Sequence, residues 1–107
     1  MTFTITHRDG GMDDGEESAL HDLIAELDGE LDLEHPDVSV TDDESGWCLS
    51  YFQNGLTVFE NVNGGEVGPR HMANVSREDA VSLMFSVGRG DISVVNQLAW
   101  EQGYGSR

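Results

Sequence analysis

The chain contains no lysine, a single cysteine, two prolines and no long apolar run, and these scarcities exclude several classes of protein. Without a window of about 18 apolar residues, the sequence predicts no membrane-spanning helix. Cys48 cannot form an internal disulfide, which is typical of a reducing compartment. The first 12 residues hold no sustained apolar stretch, so no signal peptide is predicted and we expect a cytoplasmic protein.

Negative charge is what the sequence has in excess. Twenty-one Asp and Glu against five Arg give the 107 residues a formal net charge of −16. Phosphate repels such a chain, so we expect no direct binding to nucleic acid or to an anionic membrane. Long-range attraction instead favours rapid association with a basic protein. Charge alone leaves a halophile surface, a merely soluble surface and an acidic disordered tail open, but 15 acids lie in residues 1–44, which favours a directed acidic face.

Hydrophobic periodicity predicts two helices, one beginning at Glu16 and one that Ser76 caps and Gly88 ends. Segment 7–15 is predicted to be a loop, and 26–34 fits the end of the first helix or a strand equally well. Asn54-Gly55 is the strongest hairpin signal in the chain. The predicted strands are 2–6, 38–41, 47–52, 56–60, a short strand or extended link at 71–75, and a last strand within 92–100.

This order, β-α-β-β-β-(β)-α-β, predicts an α+β fold in which two helices pack on a small antiparallel sheet. Neither an internal repeat nor a long linker divides the chain, so we expect a single domain over 1–107 with a frayed tail at 103–107. An exposed hairpin edge is compatible with a monomer or a weak dimer.

Residue patterns that carry chemistry are missing. The sequence has no nucleophile elbow, dinucleotide fingerprint or phosphate-binding loop, and segment 9–15 lacks the spacing of a calcium loop. The histidines show no zinc-ligand spacing, and Cys48 lies between apolar neighbours, which favours a buried structural thiol. We therefore predict a protein that is not an enzyme, with no catalytic residue, cofactor or metal. A small metal-binding enzyme using histidines and acids is the less favoured alternative.

From about Val38 to Glu101 the chain resembles the small immunity proteins of bacterial polymorphic toxin systems. The residues that carry the resemblance are the hairpin 49–59 (LSYFQNGLTVF), the segments 60–67 (ENVNGGEV) and 75–81 (VSREDAV), Gly88-Arg89 and Trp100-Glu101. The most similar family guards against nucleic-acid deaminase and nuclease toxins, including double-stranded-DNA cytosine deaminases. The resemblance implies an α+β protein without enzymatic activity that binds its cognate secreted antibacterial toxin in the cytoplasm and blocks the active site.

The resulting hypothesis is an antitoxin whose acidic side chains occupy the basic surface where the toxin holds phosphate, while aromatic side chains fill the pocket mouth. The partner-binding residues that we predict lie around the acidic turn and the hairpin: Asp42, Asp43, Glu44, Trp47 and Glu60. The alternative is an acidic nucleic-acid mimic or adaptor that binds a basic protein.

Overall fold

The structure, a computed structural model, describes residues 2–28, 37–64 and 68–103. The strands of this part of the chain are β1 Phe3–Thr6, β2 Met12–Asp14, β3 Asp37–Asp42, β4 Trp47–Phe52, β5 Thr57–Asn61, β6 Arg70–Met72 and β7 Glu101–Gln102. The helices are α1 Leu20–Ala25, which follows a 3₁₀ turn at Glu17–Ala19, α2 Arg77–Gly88 and α3 Ile92–Asn96. The seven strands form one antiparallel sheet in the order β2-β1-β3-β4-β5-β6-β7, which confirms the α+β class.

One face of the sheet carries the core. Ile5 lies opposite Val40, and Leu49 lies opposite both Val40 and Phe59, so these side chains share a face. All three described helices pack on it. The buried core joins the two layers: Phe3, Ile5, Leu20, Leu23, Ile24, Leu27, Val38, Val40, Leu49, Tyr51, Phe59, Ala80, Val81, Met84, Val87 and Val95. We call this the helix face, and we call the opposite face of the sheet the outer face.

Two predicted local signals are confirmed. The Asn54-Gly55 turn joins β4 to β5, and Gly55 adopts φ +88°, a conformation that glycine accepts without strain. Ser76 caps α2, because its hydroxyl accepts a hydrogen bond from the backbone N–H of Asp79 at 3.1 Å. The turn and the cap each depend only on neighbouring residues, so the sequence predicts both without knowledge of the fold.

Two predicted elements are wrong. The predicted loop 7–15 contains β2, which pairs with β1 through a turn in which Gly10 N–H donates to the carbonyl of His7. The predicted strand within 92–100 is instead α3, and a two-residue strand, β7, follows it. The β-branched residues of this segment favour a strand, but Ile92 and Val95 both reach the core, and a spacing of three is that of a helix.

The remaining boundaries differ in detail. α1 begins at Leu20 rather than Glu16, and β6 covers Arg70–Met72 where a strand or link was predicted at 71–75. Most of the ambiguous segment 26–34 and most of the predicted tail lie outside the described residues. Within the described ranges, no helix combines the length and apolar composition needed to cross a membrane.

Candidate interaction face

A row of five side chains crosses the outer face near one end of the sheet. Strand register places the residues of the row opposite one another from β2 to β5, in the order Asp14, Thr4, Thr41, Cys48 and Glu60. Four strand spacings make this row about 19 Å long. Carboxylates therefore end the row, and three small side chains separate them. We call this set the acidic row.

The turn between β3 and β4 adds a third carboxylate to the acidic row. Asp43 accepts a hydrogen bond from the Thr4 hydroxyl at 2.8 Å, and its own backbone N–H donates to the carbonyl of Thr2 at 3.1 Å. These bonds hold an exposed carboxylate beside the centre of the row. Glu44, the next residue of the turn, is also exposed.

The rest of the outer face is rich in hydroxyl groups. The neighbouring register line consists of Met12, Thr6, Ser39, Ser50, Val58, His71 and Glu101. At its far end His71 Nε2 lies 3.3 Å from the carboxylate of Glu101. Thr6, Ser39 and Ser50 are partly exposed, whereas Val58 is only 3 % exposed, so the hydroxyls of β1, β3 and β4 are the groups of this line that are available for polar contacts.

The arginines of the described residues lie on the helix side of the sheet: Arg8, Arg70, Arg77 and Arg89. Arg77 pairs with Asp28 at 2.8 Å and Arg89 pairs with Glu17 at 2.6 Å, so both neutralise acids of the helix layer. Arg8 donates to the carbonyl of Glu26 at the end of α1. No arginine of the described part of the chain shares the outer face, which therefore presents negative potential to a partner.

The five predicted contact residues divide between the two faces. Asp43 and Glu60 lie on the outer face with the exposed Glu44 nearby. Asp42 faces the helix side opposite Phe3, is 3 % exposed, and accepts a hydrogen bond from Ser45 Oγ at 2.6 Å. Asp42 is the buried last residue of β3, so we do not retain it as a contact residue.

Trp47 also faces the helix side, where it is half-buried in an aromatic stack. Its ring lies 4.6 Å from that of Phe59, whose centroid is 5.3 Å from Trp100. The guanidinium of Arg70 lies 5.6 Å from the Trp47 and Phe59 centroids and donates to Asn96 Oδ1. The stack joins the sheet to α3, so its role in this structure is to support the fold.

His7 forms the most distinct charged cluster of the helix side. Its Nδ1 lies 2.5 Å from Glu26 Oε2, and its Nε2 lies 2.6 Å from Asp13 Oδ2. The bond to Glu26 contributes most, and the bond to Asp13 next, to raising the pKa of His7 above its ordinary value. The imidazolium thus ties the β1–β2 hairpin to the end of α1. No group of three or more His, Cys, Asp or Glu side chains placed to hold a metal ion occurs among residues 2–28, 37–64 and 68–103.

Comparison of the chain with models of protein families, with curated proteins and with solved structures finds no match in any of the three. The resemblance to toxin immunity proteins therefore stays a prediction. The geometry of the outer face is what bears on function.

Proposed function

We propose that this chain is an immunity protein that binds a cognate toxin acting on nucleic acid, a deaminase or a nuclease, and occludes its active site. The observation that carries the proposal is the one-sided placement of charge. Asp14, Asp43 and Glu60 lie on the outer face, whereas the described arginines lie on the helix side. An enzyme that handles nucleic acid needs a basic surface to hold phosphate, and the acidic row complements such a surface.

Electrostatics of this kind governs the association rate more than the affinity. Two unit charges 4 Å apart interact by about 1 kcal/mol in bulk water and by about 4 kcal/mol at an effective dielectric constant of 20. An exposed pair contributes about 0.2–1 kcal/mol. Three such pairs add a few kcal/mol at most, but the summed field raises association rates by about 10- to 1000-fold.

The hydroxyl-rich centre of the outer face supplies the rest of the interface. Thr4 and Thr41 are half-buried, whereas Cys48 is buried, so the two threonines form the accessible low surface between the carboxylates. A protruding basic segment of a partner is able to approach this surface closely. Its lysines or arginines would meet the carboxylates at the border of the face.

The first test is co-expression with the toxin encoded beside this chain. We expect cells to survive only when this chain is present, and the purified toxin and this chain to form a stable complex. Survival that does not depend on this chain, or the lack of a complex, would overturn the proposal.

The second test locates the interface with charge reversals. The triple variant Asp14→Lys, Asp43→Lys and Glu60→Lys changes the acidic row. A control triple variant with the same change in net charge places lysines on exposed acids of the helix layer, at Asp22, Glu78 and Asp91. We expect the first to slow association with the toxin by at least 10-fold at low salt and the second to change it by less than about 3-fold.

Thermal unfolding of both triple variants checks that each is folded. Equal effects of the two triple variants would mean that net charge alone drives binding. Tight binding of many unrelated DNA-binding proteins, with DNA as a competitor, would instead identify the adaptor or nucleic-acid mimic.

A further inference from the structure

Among the described strands, β2 forms one edge of the sheet, and all three of its residues are exposed. Two backbone hydrogen bonds fix its pairing pattern with β1. His7 N–H donates to the carbonyl of Gly11 at 2.8 Å, and Gly15 N–H donates to the carbonyl of Phe3 at 2.7 Å. In an antiparallel pair, residues that bond the neighbouring strand alternate with residues that do not.

This alternation decides which backbone groups of β2 reach the edge. Asp13 lies in phase with the two bonded positions, so its N–H and C=O point at β1. The N–H and C=O groups of Met12 and Asp14 point away from the sheet. The edge therefore offers two donors and two acceptors in the arrangement that an added antiparallel strand requires.

The charge of the side chains on this edge determines which added strands bind favourably. Asp14 lies on the outer face. Asp13 lies on the helix face, where it and Glu26 share the one imidazolium of His7, so a net negative charge remains on both sides of the edge. A second copy of this chain, pairing antiparallel about Asp13, would place Asp13 opposite Asp13. Like charges directly opposite are destabilising, so self-pairing is disfavoured and a strand bearing lysine or arginine is favoured.

The other edge of the sheet, β7, has fewer backbone groups that point outward. Gly103 N–H donates to the carbonyl of Pro69 at 2.8 Å, and the same alternation leaves only Gln102 of β7 with both backbone groups pointing outward. Glu101, its neighbour in β7, is in turn engaged with His71. The β2 edge is therefore the better template, and it adjoins the acidic row through Asp14.

We infer that β2 is a docking edge for an extended, lysine- or arginine-bearing segment of a protein partner, which pairs antiparallel with Met12 and Asp14 and extends the sheet by one strand. This inference rests on the proposed function in so far as the partner is the toxin. The chemistry that recognises the partner is backbone pairing together with carboxylate contacts on both faces of the added strand.

The test uses a peptide, so that its outcome is separate from that of the toxin experiments. The probe is a seven-residue peptide that alternates lysine with valine, blocked at both ends. Its control is the same peptide with alternate backbone nitrogens methylated, which keeps the charge and removes strand pairing. We expect the first peptide to slow hydrogen exchange of the Met12 and Asp14 amides at least 10-fold, and the methylated peptide to leave both unchanged.

A pair of variants tests the same edge from the side of this chain. Met12→Pro removes one outward N–H, and proline is accepted on an edge strand where its nitrogen faces solvent. Met12→Thr changes the side chain and keeps the N–H. The proline variant should lose peptide protection of the Asp14 amide, and the threonine variant should keep it.

Equal binding of both peptides, or no slowing of exchange at Met12 and Asp14, would overturn the inference whether or not the proline variant folds. The peptide could slow exchange of the Met12 and Asp14 amides even though the chain does not keep cells alive in the presence of the toxin. That result would support the docking edge and overturn the immunity role.

Discussion

The hydrogen bonds of His7 make a pH-dependent prediction. His7 joins Asp13 of β2 to Glu26 at the end of α1, and both bonds raise its pKa above the ordinary value of 6.5. A histidine whose pKa is raised by folding stabilises the fold fully below its unfolded-state value, and the stabilisation is lost as pH rises through the folded-state value. We therefore expect His7→Gln to lower the free energy of unfolding at pH 6 and to have little effect at pH 9.

The size of the effect follows from exposure. Asp13 is 67 % exposed, so its contact with the imidazolium contributes about 0–1 kcal/mol. His7 and Glu26 are 29 % and 30 % exposed, and hydrogen bonds to charged groups contribute about 1.5–3 kcal/mol. Glutamine keeps a neutral hydrogen bond, so we take a loss of about 1–1.5 kcal/mol at pH 6. For a domain of this size, that loss lowers the melting temperature by roughly 4–7 °C.

Thermal unfolding of the unmodified chain and of His7→Gln between pH 6 and pH 9 measures the prediction. The control is His21→Gln, because His21 is exposed, makes an edge contact with the ring of Phe85, and forms no ion pair within the described residues. Arg8 also binds Glu26 in both proteins, so its contribution cancels in the difference. A difference in melting temperature that stays constant or grows with pH would refute the reasoning.

Three substitutions test the packing. Gly15→Ala should lower the free energy of unfolding in urea by about 1–3 kcal/mol, since an added Cβ would lie 2.1 Å from the Phe3 ring. Its control is Gly68→Ala, because no atom of the described residues lies within 4 Å of a Cβ added there. Ser76→Ala should cost about 1 kcal/mol through the lost cap of α2, a loss of helix stability that circular dichroism melting detects. Phe59→Ala should cost about 3–5 kcal/mol and remove the near-ultraviolet dichroism of the tryptophan stack; an unchanged spectrum would contradict the stacked arrangement.

The parts of the fold that the sequence predicts are those with a local cause. The Asn54-Gly55 turn and the Ser76 cap each act within four residues, and both are confirmed. β2 has no such signal, because a three-residue edge strand beside Gly10 and Gly11 shows no alternation and forms only because β1 lies beside it.

Among the acidic residues, too, some positions follow from the local sequence and others depend on how the strands pair. Asp42 continues the two-residue period of Val38 and Val40, so the alternation of β3 already places it on the buried face. The position of Asp14 in the acidic row, by contrast, depends on pairing between strands of which one is not predictable. No local pattern therefore distinguishes Asp14 from the other acids of its segment.

The distribution of charge explains how so acidic a chain folds and predicts how salt acts on it. Self-repulsion at −16 opposes compaction, and Arg77, Arg89 and His7 reduce it by pairing with acids of the helix layer. The acidic row lies on the face opposite the described arginines, so its negative field is directed towards a basic partner. Raising sodium chloride from 0.05 to 0.5 M shortens the screening length below about 10 Å. We therefore expect salt to raise the melting temperature while it slows association with the partner. If salt raised both the melting temperature and the association rate, or lowered both, the charges that oppose folding would not be those that attract the partner.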